Sequence, residues 1–139
     1  MRFMVMVNAT KDTEAGVMPS ETMLAAMGRF NEEMTKAGVM LSGEGLHPSA
    51  KGARIRFSDK GADVVDGPFA ATGELVCGFW LIETASRDEA IAWMKRAPFS
   101  PGDELELRQV FEAEDFGEAP TPELRGLAER LRAKVAVRR

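Results

Sequence analysis

One cysteine, one histidine and no long apolar run set the first limits on this sequence. Cys77 alone excludes an internal disulfide framework and any cysteine-based zinc cluster. It stands in the apolar stretch LVCGFW, which predicts a buried, inert thiol, because activation needs exposure and a neighbouring positive charge. The lone His47 removes HExxH and every other multi-histidine metal site. No stretch approaches the ~18 uninterrupted apolar residues of a membrane span. The opening MRFMVMVN is too short for a signal-peptide core and has no small-residue cleavage site, so it reads as a first strand and the expected location is the cytoplasm. There is no GxGxxG, P-loop, GxSxG or metal-ligand spacing, so neither cofactor nor metal is expected.

What remains is an ordinary globular composition. The 139 residues are 45% apolar and 29% charged, enough for one domain with a core of its own. The net charge of −4 conceals an asymmetry. Residues 121–139 carry Arg125, Arg130, Arg132, Lys134, Arg138 and Arg139 against Glu123 and Glu129, a balance of +4, which leaves −8 on the first 120 residues. So acidic a body is a poor nucleic-acid binder, and neither nucleic acid nor membrane is an expected partner. The basic tail has two readings, a solvated helix face or a contact for an acidic partner.

Hydrophobic periodicity divides the chain. Arg2–Val7 predicts a strand apolar on both faces. Ser20 caps a helix that runs to about Ala37, with Met23, Leu24, Met27, Phe30 and Met34 at helical spacing and Gly38 as its stop. Val39–Leu46, Ala53–Ser58, Asp63–Val65, Glu74–Glu83 and Leu105–Phe111 read as strands, the second and third of these joined as a hairpin through SDKGA. Ser86 and Glu89 make a capping box for a second helix that ends before Pro98. Pro120 and Pro122 mark a linker, and Leu124, Leu127, Leu131 and Val135 form the seam of a last helix. The domain boundary is therefore expected at 117, with a linker and basic helix over 118–139.

This order is β-α-β, a β-hairpin, then β-α-β. It predicts an α+β fold, a ferredoxin-like subunit with both helices on one face of the sheet and the hairpin as an addition. The other face would be bare. Yet Met4, Met6, Val76, Trp80 and Ile82 were they to line it would forfeit on the order of 1.5–3 kcal/mol each if left wet. A second copy packed sheet on sheet resolves the conflict, so a homodimer is expected.

The nine residues DGPFAATGE, Asp66–Glu74, resemble the motif DGPFAETKE that names a branch of the YCII-related family. Three segments extend the likeness: Gly43–Phe69, Gly78–Pro98 and Leu105–Gly117. Ala71 replaces the usual Glu and Gly73 the usual Lys, so those two charges are not required in this copy. The resemblance implies a subunit that dimerises into an α+β barrel. It also implies either of two roles. Some relatives eliminate chloride from chlorinated hydroxyquinols with a His/Asp acid–base pair, and others are encoded beside extracytoplasmic-function sigma factors.

Several residues could carry chemistry, and each has a structural reading beside the functional one. Asp66 is either the acceptor of an Asx-type turn or a general base at the barrel rim. Gly67 and Pro68 set the corner's backbone, Gly by allowing an unusual angle and Pro by fixing the next. Glu44, between two glycines that thin the wall, either bridges to Arg54, Arg56 or Arg108 or works as an acid in a binding site. His47 is a surface residue or a base served by Glu44 or Asp66. Phe69, Phe79 and Trp80 pack the core or line a pocket. Arg54, Arg56 and Arg108 could hold a small acid.

Two functions follow. The first is a small-molecule-binding or regulatory dimer, linked to a sigma factor through the basic helix. The alternative is a cofactor-free lyase or isomerase acting on a small acidic or aromatic substrate, with Glu44, His47 and Asp66 sharing proton transfer. A haem-dependent oxygenase is a distant third.

Overall fold

Strand β1 (Arg2–Asn8) buries every second side chain: Phe3 is 1% exposed and Val5 is fully enclosed, while Met4 and Met6 stay half-buried. The computed structural model, which describes residues 1–70, 74–117 and 121–137, shows where each half of that alternation goes. After β1 come a short helix α1 (Lys11–Glu14), the long helix α2 (Glu21–Lys36), strand β2 (Met40–Gly45) and the hairpin strands β3 (Ala53–Ser58) and β4 (Gly61–Asp66). Strand β5 (Val76–Glu83), helix α3 (Arg87–Met94), strand β6 (Leu105–Gln109) and helix α4 (Pro122–Val137) complete the order. The chain forms two compact units, Met1–Gln109 and Val110–Arg139.

In the first unit four strands make an antiparallel sheet in the order β2-β5-β1-β6. Helices α2 and α3 supply Phe30, Met34, Ala90 and Met94 to a core that contains Phe3, Val5, Trp80 and Ile82. Both helices therefore cover one face, as expected for a mixed α+β fold. Local signals explain the helix starts. The Ser20 hydroxyl accepts the Met23 N–H at 3.1 Å, and the Ser86 hydroxyl accepts the Glu89 N–H at 3.1 Å. Helix α1 was not expected. Thr10 and Thr13 close it with reciprocal side-chain to backbone bonds, inside what reads as a turn-rich loop.

Cross-strand register corrects the expected bare face. Phe3 pairs with Ile82 and Val5 with Trp80, so the β5 set that includes Trp80 and Ile82 faces the helices. The side chains on the opposite face are Met4 beside Leu81 and Met6 beside Phe79. Met4 and Met6 lie on the uncovered face as expected, whereas Trp80 and Ile82 belong to the core under the helices. Both faces of β5 are apolar, so period-two alternation alone cannot say which set pairs with which face of β1. The uncovered face has an apolar centre with polar edges. One row reads Glu44, Phe79, Met6, Glu106 across the four strands, and the next reads Ser42, Leu81, Met4, Arg108.

The β3–β4 hairpin is a separate two-stranded sheet. Every residue in it except Val65 is exposed. In the second unit Glu112 and Asp115 close a single 3-10 turn over Ala113–Phe116, and the Phe111 and Phe116 rings meet at 5.0 Å. Arg125 donates to the Gly117 carbonyl. The seam residues Leu124, Leu127, Leu131 and Val135 of α4 are all exposed. No helix among the described residues is long and apolar enough to cross a membrane.

Candidate functional site

The Asp66–Phe69 corner sits against the 3-10 turn Ser49–Lys51, and the contact is backbone to backbone. The Gly67 N–H donates to the Gly52 carbonyl at 3.0 Å. A Cβ on Gly67 would lie 1.8 Å from the Ser49 carbonyl oxygen. Gly67 is absent from the glycines with positive φ, so this position needs glycine for close approach and not for an unusual backbone angle. The Gly67–Pro68 peptide is cis.

Ser49 ties the corner down. Its hydroxyl accepts the Phe69 N–H at 3.0 Å and donates to the Glu14 carboxylate at 2.5 Å. Its own N–H donates to the other Glu14 oxygen at 3.0 Å. These bonds, the hydroxyl bond first, hold the Glu14 carboxyl below the ordinary glutamate range, against a smaller opposing effect of burial. Glu14 and Ser49 escaped the sequence reading. Neither lies in a periodic pattern, and a contact spanning 35 residues leaves no local signal.

Beside the corner, the Arg54 guanidinium lies over the Phe69 ring at 3.9 Å. Arg54 and Arg56 share one face of β3; neither forms an ion pair among the described residues, and Asp63 stands opposite Arg56 on β4. The structure thus brings Pro68, Phe69 and Arg54 to one corner, while Asp66, paired with Ala53, projects from the opposite face of the hairpin. Asp66 is exposed and makes no hydrogen bond or ion pair among the described residues. The Asx-type bond expected of it is replaced by the Ser49 and Gly52 contacts.

The remaining candidates lie elsewhere. Glu44 is exposed on the uncovered sheet face opposite Phe79. Its expected partner Arg108 stands on the far edge strand, three strand spacings or roughly 14 Å away, and pairs with Glu106 at 3.3 Å instead. His47 is exposed between β2 and the Ser49 turn, and no hydrogen bond joins Glu44, His47 and Asp66 among the described residues. Trp80 is a core residue, 5% exposed, whose indole N–H donates to Asn31 at 2.9 Å. The thin wall at Gly43 serves that indole: an added Cβ would lie 2.7 Å from Trp80 Cδ1. The departures at Ala71 and Gly73, with Pro120, Arg138 and Arg139, lie outside the described residues.

Cys77 is half-buried, with Sγ 3.7 Å from the Asn8 carbonyl. Desolvation pushes its thiol above the ordinary range, with Asp103 and Glu14 adding to the rise and a bond from Thr13 opposing it. The thiol is therefore protonated at neutral pH. No group of three or more metal-ligating side chains exists among the described residues.

A family model for the YCII-related domain matches residues 1–114. An uncharacterised protein of Rhizobium meliloti (strain 1021) is 35% identical over 71 residues, which are 51% of this chain and 57% of that relative. The chain thus spans little more than half the length of the curated relative. A solved structure of 5-chloro-2-hydroxyhydroquinone dehydrochlorinase from Burkholderia phenoliruptrix AC1100, in complex with 2,5-dihydroxybenzoquinone, is similar at 14% identity and a TM-score of 0.40, covering 81% of this chain and 96% of that one.

Proposed function

Because the chain belongs to the YCII-related family, we propose that it is a ferredoxin-like subunit that pairs into a dimeric α+β barrel and binds a small acid without transforming it. The observation that carries this reading is the corner itself. Arg54 is held over Phe69 at 3.9 Å, on a backbone fixed by Ser49, with no carboxylate to neutralise it among the described residues. A preformed cation beside an aromatic ring suits an aromatic or short-chain carboxylate, and Arg56 on the same face adds a second charge. Among the described residues Glu44 makes no ion pair with an arginine and His47 no bond with either carboxylate, which favours binding over proton transfer.

The dimer half of the reading rests on the uncovered sheet face, whose centre of Met4, Met6, Phe79 and Leu81 has the apolar middle and polar rim of an interface. The regulatory half takes α4 as the contact with an extracytoplasmic-function sigma factor. Its exposed leucine seam is flanked by Arg125, Arg130, Arg132 and Lys134, which suits an acidic groove.

Calorimetric titration of the full chain with benzoate tests the reading. Arg54→Gln combined with Arg56→Gln weakens binding by at least ~10-fold, and NMR finds the ligand unchanged after prolonged incubation. Equal affinity in the double variant overturns the assignment. A ligand consumed by the wild type and spared by His47→Ala would make the protein an enzyme.

A further inference from the structure

The hairpin has a second face that the proposed ligand site does not use. Ile55 is paired with Val64 and Phe57 with Ala62, so these side chains project together, opposite to Arg54 and Arg56. Ile55 is 60% exposed, Phe57 83% and Val64 65%. Two-stranded ribbons are marginal in water without something to pack on. Among the described residues its base is held by the Gly52–Gly67 bond and the Ser49 contacts, and it pairs with no strand of the main sheet. A flat apolar face on such an arm is an aggregation hazard unless it is covered.

We infer that the β3–β4 hairpin is an arm that lays Ile55, Phe57 and Val64 on a second copy of the chain. The inference rests on the dimer proposed above, and area decides between occupants. A stable pair buries about 800 Å² on each partner. The four central side chains of the uncovered sheet face are already half-buried and supply on the order of 200 Å² of apolar surface, short of the roughly 480 Å² that an interface of that size, about 60% apolar, requires. The three arm residues carry roughly 400 Å² of exposed surface, the largest share on Phe57. Sheet face and arm together reach what a dimer needs; neither does alone. A two-fold pair also covers both arms at once, without a third component. Arg54 and Arg56, on the arm's other face, then stay open to a ligand.

Sedimentation of the full chain at micromolar concentration tests this. The wild type is a dimer. Phe57→Asp raises its dissociation constant by at least ~100-fold, with an unchanged circular dichroism spectrum, and Arg56→Gln on the opposite face leaves it unaltered. With benzoylphenylalanine in place of Phe57, irradiation joins two chains covalently. A Phe57→Asp dimer as tight as the wild type, or attachment only within one chain, overturns the inference. The variant Met6→Lys separates the arm from the sheet face. If it alone dissociates the dimer, the arm has no part in pairing; if Phe57→Asp alone does so, the arm stands and the sheet-face reading falls. A monomeric wild type sinks both.

Discussion

Glu14 accepts both hydrogens that Ser49 offers, the backbone N–H at 3.0 Å and the hydroxyl hydrogen at 2.5 Å. Because the same hydroxyl accepts the Phe69 N–H, one carboxylate orients the residue that positions the whole Asp66–Phe69 corner. Its depressed pKa makes the link pH-dependent. The unfolded chain binds the proton more tightly than the folded one, so the contribution is present above the ordinary glutamate value of 4.5 and is lost as pH falls through the lower folded value. Glu14→Gln therefore melts below the wild type at pH 7, and the two melting curves converge as the buffer is taken into the acid range below 4.5. A constant gap across that range would mean that the charge is not what holds the turn.

Gly67→Ala tests the close approach at the corner. Its Cβ would overlap the Ser49 carbonyl oxygen at 1.8 Å, and backbone cannot yield as a side chain can. The expected cost is about 3 kcal/mol, read as a lowered urea midpoint. Gly45→Ala is the control, since a Cβ there meets nothing within 4 Å, and it should stay within ~0.5 kcal/mol of the wild type.

Much of the fold was legible because it is written in local patterns. Ser20 and Ser86 announce their helices, Gly38 ends one, and the alternation of β1 separates Phe3 and Val5 from Met4 and Met6. Which face of β5 joins which was illegible, since both faces are apolar and only the pairing of Val5 with Trp80 decides. Of the candidate residues, the family motif led directly to Asp66, Pro68 and Phe69, and strand alternation put Arg54 and Arg56 together. Glu14 and Ser49 were out of reach. Their bond joins a four-residue helix to a three-residue turn, and elements that short carry no period. The glycines at 43 and 67 were noticed, but their reasons, an indole and a carbonyl, exist only once the chain has folded.

Cys77 should be slow to react. Its raised pKa and half-buried position leave little thiolate at pH 7.5. Alkylation by iodoacetamide is expected to run at least ~10-fold slower in the folded chain than in urea, followed by intact-mass spectrometry. Equal rates in the two states would show that the strand opens there or that the thiol is activated.

Trp80 and Asn31 give a test of the core. The indole is 5% exposed and its N–H has one acceptor, the Asn31 side-chain oxygen on α2 at 2.9 Å. Asn31→Ala strands that donor against Phe30 and Phe99, whose rings stand edge-on to the indole at 5.8 and 6.1 Å. The cost is about 1–3 kcal/mol, a fall of roughly 3–10 °C in Tm for a chain of this size. Trp80→Phe removes the donor, so in that background Asn31→Ala should cost less than ~0.5 kcal/mol, because the half-exposed amide is then free to bond water. The coupling between the two positions, measured as a double-mutant cycle in urea, is the quantity of interest. A value near zero would mean that ring packing alone seats the indole, and that Gly43 rather than Asn31 sets its place under α2.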